Sequence, residues 1–262
     1  MTSPRTVLIT GGAGGIGQGI ARAFIESGAR VILADRDAAA VHAASAALAE
    51  SVGASGGANT GTPVSALALD ITDAEAVAAA FARPAQDGGA GGADVLVNNA
   101  GILSVHGAVT ELGPDAYRSI LEVNVIGTFT MIQAFAAHRI AAGGGGSIVN
   151  ISSIGGRQPT PGMGAYESSK AAVDSVTRWA AIELAAHGIR VNAVAPGPVL
   201  TPMLEMGMPE GSPAREAWSS RIPLGDLARV DDIAPAVTFL AGAGAAHITG
   251  VSLAVDGGQL LT

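Results

Sequence analysis

Tyr166 and Lys170 stand four positions apart in the run AYESSKAAVDSV. On a helix that spacing puts both side chains on one face, a turn apart. A phenol ordinarily ionises near pH ~10. An ammonium beside it favours the phenolate, which brings a general acid/base into use near neutral pH. Taken alone, the pair also fits a buried tyrosine with a snorkelling lysine.

A second chemistry lies in LITGGAGGIGQGIARAF, Leu8 to Phe24. Gly12, Gly14 and Gly17 fit the dinucleotide fingerprint G-x-G-x-x-G, while Gly11, Gly15 and Gly17 fit T-G-x-x-x-G-x-G with Thr10 as its first residue. Either way, a strand, a glycine turn and a helix start make a pyrophosphate site. Amides at the helix N-terminus point at the anion, and missing Cβ atoms let it approach. Asp35 follows close to the roughly 20-residue offset at which a carboxylate bonds the adenosine ribose hydroxyls. A carboxylate there repels a 2′-phosphate and favours NAD over NADP. Arg36 works against that preference by offering a phosphate partner, and Asp37 restores it.

These residues need a frame. Near-continuous apolar runs at 6–10, 30–35, 64–70, 94–99, 147–152, 190–196 and 251–257 read as strands buried on both faces of a parallel sheet. Helix-length segments alternate with them at 15–28, 37–50, 73–83, 114–139, 163–187 and 230–241. The expected fold is α/β: a single-domain Rossmann fold over 1–262, with a doubly wound, mainly parallel seven-stranded sheet flanked by helices. Glycine-rich stretches at 53–62, 87–92 and 143–146 read as helix-to-strand loops. The irregular stretch 198–221, with Met203, Met206 and Met208, reads as a substrate lid.

Composition excludes several classes. A net charge of −8 with scattered basic residues gives no nucleic-acid footprint. The absence of cysteine rules out disulfides, thiolate zinc sites and cysteine nucleophiles. The five histidines lack metal-ligand spacing, so no metal is expected. Ser153 lacks the G-x-S-x-G elbow of a serine hydrolase. MTSPRTVLIT enters a strand almost at once, and no uninterrupted apolar run approaches the length needed to span a bilayer, so a cytoplasmic protein with no membrane partner is expected.

Thr10–Gly17, NNAG (98–101), Asn124, NISS with Ser153, Tyr166/Lys170 and PGPVLT (196–201) occur in one order, and the chain closes with IPLGDLARVDDIA and ITGVSLAVDGG. Over essentially its whole length the chain closely resembles the short-chain dehydrogenase/reductase family of NAD(P)-dependent oxidoreductases. The resemblance selects Thr10, Gly11, Gly15, Ile16 and Gly17 for the turn and makes Gly12 and Gly14 permitted small residues. It implies that Tyr166 exchanges the alcohol proton, that Ser153 rather than Ser152 bonds the same oxygen, and that Lys170 binds the nicotinamide ribose and tunes Tyr166. It implies that Asn124 holds a water linking Lys170 to solvent; the alternative is a helix-bending or capping asparagine. Asp70 and Ile71 would border the adenine, with Asn98, Ala100 and Gly101 at the strand end beneath it and Asn99 as a turn residue. Pro196, Gly197, Val199 and Thr201 would embrace the nicotinamide carboxamide and pyrophosphate. Helices 114–139 and 163–187 resemble those that pair between subunits, and a homotetramer follows by analogy.

The substrate expectation is a small secondary alcohol, polyol, sugar or cyclic alcohol and its ketone. Arg157, Gln158, Met163, Leu200 and Met203 are the pocket candidates, with Gly155, Leu103, His106, Leu204 and Met206 near them. The alternatives are a 3-oxoacyl-thioester (acyl-carrier-protein) reductase, which Asp35 disfavours, and a non-catalytic NAD(H)-binding sensor or scaffold.

Overall fold

The apolar runs form β1 (Thr6–Thr10), β2 (Arg30–Asp35), β3 (Val64–Ala68), β4 (Val95–Asn98), β5 (Gly146–Ile151), β6 (Ile189–Pro196) and, late in the chain, β9 (Ser252–Val255). A computed structural model describes residues 4–53, 63–201, 204–205 and 208–262. The seven strands make one parallel sheet in the order β3-β2-β1-β4-β5-β6-β9. β1 pairs with β2 on one side and with β4 on the other, Val7 standing opposite both Val31 and Val95. The winding therefore reverses at β1, and the crevice beyond its carboxyl end is where an open α/β sheet binds ligands.

Strand residues alternate between two cores. Val7 and Ile9 pack with Ile20 and Phe24 of α1 (Gly15–Glu26), Val41 of α2 (Ala38–Gly53) and a late helix, Val230–Ala241. Leu8, Leu96 and Ile148 face the other way, onto Phe81 of α3 (Ala74–Ala82), Met131 and Phe135 of α5 (Thr128–Ala141) and Ala180 of α6 (Gly164–Leu184). Burial on both faces explains why these strands read as unbroken apolar runs.

The helix expected over 114–139 has three parts. α4 (Pro114–Leu121) runs into a π-helical segment, Glu122–Gly127, and then into α5. Together they form a continuous helix of 28 residues, long and apolar enough by length and composition to cross a bilayer, although charged residues interrupt it. Much of its apolarity serves the core: Met131, Ile132 and Phe135 are buried in the cluster with Leu8, Leu96 and Ile148, and Ile120 is buried as well.

The lid is also more regular than expected. β7 (Val199–Leu200) pairs in parallel with β8 (Ala228–Arg229), and α7 (Pro213–Ser219) lies between them. Its start is written locally: Ser212 Oγ accepts the Arg215 amide hydrogen at 3.4 Å, and Pro213 takes the first turn. The late helix is α8 (Val230–Ala241). Met203 and Met206 lie outside the described residues, as does most of the 53–62 loop.

Candidate active site

The glycine turn is closed by its own neighbours. Gly11 has φ +62°, and a Cβ there would come within 2.8 Å of Ala100 Cα. A Cβ on Gly17 would come within 2.5 Å of the Gly11 carbonyl oxygen. Gly12, read as permitted rather than required, is in fact packed: its Cβ would meet that of Leu33 at 2.8 Å. Gly14 alone among these is roomy, with its nearest contact at 3.4 Å. It caps α1 without a side-chain bond, so the first-turn amides beginning at Gly15 are free for an anion, and Ile16 lines the cleft. This donor set fits a dinucleotide pyrophosphate.

Several residues expected around the cofactor also build the turn. Thr10, almost fully buried, accepts the amide hydrogens of Asn99 and Ala100 on its hydroxyl, both at 3.1 Å. Asn99 Nδ2 donates to the carbonyls of Thr10 and Gly11. Asn98 bonds within the sheet: its Nδ2 donates to Asn150 Oδ1 at 2.9 Å. Ile71 is buried against Gly127, where a Cβ would stand 2.7 Å from its Cδ1. Asp35 Oδ2 accepts the Ala13 amide hydrogen at 3.2 Å, tying the turn to β2. Arg36 is exposed beside it. Thr72 bonds hold the Asp70 carboxyl below the usual range, and the Arg36 charge helps.

Ser153, Tyr166 and Lys170 line one cleft of about 570 Å³. β5 delivers Ser153 just past its end, and α6 delivers the other two from its first turns. Ser152 is occupied elsewhere, its hydroxyl donating to the Lys170 carbonyl at 3.1 Å. Lys170 is buried; Nζ donates to the Ile151 carbonyl at 2.8 Å and lies 5.6 Å from the Tyr166 ring centre. Burial lowers its pKa to about 8, against the opposing pull of Asp174. Tyr166 runs opposite to the expected direction. Burial of the phenolate raises it above the ordinary value, while the Ser153 hydroxyl pulls it down and Glu167 adds to the rise. Asn124 sits in the π segment, where Oδ1 accepts the Ile102 amide hydrogen at 2.8 Å and Nδ2 donates to Ile102 O and Ser169 Oγ. A methyl on Gly101 would stand 3.3 Å from Asn124 Oδ1 and 3.4 Å from Lys170 Nζ, so this glycine separates the two.

Of the pocket candidates, Gln158 and Met163 line the cleft, as do Leu103, His106, Gly155 and Leu204. Arg157 does not. Its guanidinium turns to the buried Asp174 carboxylate at 3.4 Å and to the Ser252 carbonyl at 2.9 Å, bracing the Ser153 loop against α6 and β9. Leu200, on β7, is also absent from the lining, whereas Pro196, Gly197, Val199 and Thr201 belong to it. Sequence reasoning missed Glu167, Trp218 and Gln259, which line it as well. Only Glu167 carried a local signal, its place next to Tyr166.

A family model described as enoyl-(acyl carrier protein) reductase matches residues 11–259. A solved oxidoreductase from Burkholderia thailandensis, named as a member of the short-chain dehydrogenase/reductase family, superposes with a TM-score of 0.86 at 36% identity, covering 100% of this chain and 94% of that one. The chain belongs to the short-chain dehydrogenase/reductase family. It is thus an oxidoreductase of the NAD(P)-binding kind. It is 40% identical over 252 residues to galactitol 2-dehydrogenase (L-tagatose-forming) of Cereibacter sphaeroides, covering 95% of this chain and 92% of the relative. The NADH complex of 3-ketoacyl-(acyl-carrier-protein) reductase from Brucella melitensis matches with a TM-score of 0.83 at 34% identity, over 97% and 98% of the two chains.

Proposed function

We propose that this short-chain dehydrogenase interconverts a secondary alcohol and its ketone with NAD as the preferred cofactor. The observation that carries the reading is the convergence of Ser153, Tyr166 and Lys170 on one cleft beside an uncapped helix start. The likeness to a galactitol dehydrogenase supports a polyol or related alcohol.

The nicotinamide ring, when bound, accepts or supplies the hydride; the side chains manage everything else. Tyr166 exchanges the proton of the alcohol oxygen. Its raised pKa keeps the phenol protonated, ready to donate to a ketone. Ser153 bonds the same oxygen and steadies its developing charge. Lys170 spends one N–H on Ile151 and keeps two for the nicotinamide ribose hydroxyls. Asn124 holds the relay water through the lone pair on Oδ1 that Ile102 leaves free. Gly11, Gly15, Ile16 and Gly17 present the pyrophosphate site. Asp35 faces the adenosine ribose and disfavours a 2′-phosphate. Pro196, Gly197, Val199 and Thr201 enclose the nicotinamide end.

The assembly we infer is a homotetramer working in the cytoplasm. Two apolar faces support it: Ile182 beside the Trp179–Phe129 stack on α6 and α5, and Phe239, Val251 and Leu253 at the α8/β9 edge.

The test is NADH or NADPH formation from secondary alcohols, polyols and hydroxyacyl thioesters, beside Tyr166→Phe. The expected outcome is turnover with NAD that falls by ~10²–10⁴ in the variant, with NADH binding retained by calorimetry. Native-level turnover in the variant overturns the role of Tyr166. Preference for NADPH and thioesters favours the ketoacyl-reductase alternative.

A further inference from the structure

Among the described residues, three buried side-chain atoms have no hydrogen-bond partner: Asn98 Oδ1, Gln158 Oε1 and Gln259 Oε1. Such atoms are rare in native proteins and each calls for an explanation. Asn98 lies within the sheet. The two glutamines line the cleft that holds Ser153 and Tyr166.

Gln259 is only 2% exposed, although it comes from a 3-10 turn, Gln259–Leu261, beyond β9. That turn is fixed. The Asp256 carboxylate accepts the amide hydrogens of Gly258 and Leu260 at 3.0 and 2.9 Å, and Gly257 and Gly258 take φ of +61° and +90°. A Cβ on Gly257 would come within 2.5 Å of Ile222 Cγ2, so the turn is also pressed against the end of the lid. Gln158 reaches the same tail, its Nε2 donating to the Thr262 carbonyl at 3.1 Å, which leaves its Oε1 unused. Thr262 in turn donates from its hydroxyl to the Arg221 carbonyl. Two amides from distant segments thus each present a buried, unpaired oxygen, Gln158 held through its Nε2 and Gln259 through its turn.

We propose that Gln259 and Gln158 form a hydroxyl-binding subsite that makes a polyhydroxylated alcohol, such as a linear polyol, the favoured substrate class; this rests on the dehydrogenase reading above. A hydroxyl both donates and accepts, so it serves an amide whichever way the amide is turned. The carboxylate among the described lining residues is already engaged: both oxygens of Glu167 accept the Thr160 amide hydrogen, at 2.8 and 3.0 Å. An acyl chain or a bare ring offers no donor and leaves both glutamine oxygens buried and unpaired. A site built to bond a hydroxyl rejects ligands that lack one.

The experiment compares kcat/KM for galactitol with kcat/KM for cyclohexanol in the native enzyme, Gln259→Leu and Gln158→Leu. NADH binding and Tm report folding. The native enzyme should prefer galactitol, and the ratio should fall about 10-fold in Gln259→Leu, mainly through a higher KM for galactitol. Gln158→Leu should move it in the same direction and supplies the answer if Gln259→Leu fails to fold. An unchanged ratio in the folded variants overturns the inference. A native enzyme that oxidises cyclohexanol but not galactitol overturns it too, leaving the dehydrogenase reading intact. Turnover of neither alcohol, nor of any other secondary alcohol, overturns that reading and the inference together.

Discussion

On the β1–β4 side of the cleft, Thr10, Gly11, Asn99 and Ala100 bond chiefly to one another. Their backbones are so close that a single methyl has nowhere to go. The opposite wall is assembled from the 155–163 loop, the start of α6, α7 in the lid and the tail beyond β9, and it keeps unpaired acceptors. The turn on one side is held by its own bonds and leaves the first-turn amides of α1 for a ligand, while the other side keeps the acceptors of Gln158 and Gln259 unpaired. A cofactor shared by many reactions suits a self-contained cradle, and a particular substrate suits a wall whose groups await it.

The contrast is open to test from either side. Gly17→Ala should have the larger effect, because its methyl would lie 2.5 Å from backbone rather than from a yielding side chain. NADH affinity by calorimetry is expected to fall roughly 10- to 100-fold, the equivalent of about 1–3 kcal/mol of overpacking. Retained affinity would mean that the turn is softer than its contacts imply. Trp218→Ala should act more mildly and on the other ligand. Trp218 is half-buried in the cleft with the Arg221 guanidinium 4.8 Å from its ring. Steady-state kinetics should show an alcohol KM about 10-fold higher, as expected for losing one aromatic contact, with NADH affinity little changed. A matching loss of NADH affinity would erase the distinction between the walls.

Legibility in the sequence follows the same division. The strands announced themselves because burial on both faces leaves unbroken apolar runs. Tyr166 and Lys170 were visible because helical spacing is a local rule. Arg157 was misread for the opposite reason: a lone charge near Ser153 looks like a substrate anchor until Asp174 and Ser252 arrive from elsewhere to engage it. Trp218 and Gln259 had no local signal, since only the folded lid and tail bring them to the cleft. The π segment was hidden too, because one widened turn hardly disturbs an apolar pattern. Tyr166 shows a different limit. The sequence displays the neighbouring lysine, but only the fold displays the burial that raises the phenol's pKa.

The buried ammonium of Lys170 has a consequence for folding thermodynamics. Its pKa is about 8 in the native protein against an ordinary 10.5. Below pH 8 both the native and unfolded chains hold the proton, and the fold bears the full cost of enclosing the charge. Between about pH 8 and 10.5 the unfolded chain retains a proton that the native state has released, so this group's contribution to stability rises with pH. Between pH 7 and pH 10 the gain is roughly 2–3 kcal/mol, and denaturant unfolding at those two pH values, with Lys170→Met as the reference that lacks this group, measures it. If the native protein gains nothing relative to that reference, the ammonium is better solvated than its surroundings indicate. Alkaline conditions thus relieve the fold of the charge that the proposed role of Lys170 uses, so on that proposal the pH at which Lys170 burdens the fold least differs from the pH at which it would serve the reaction.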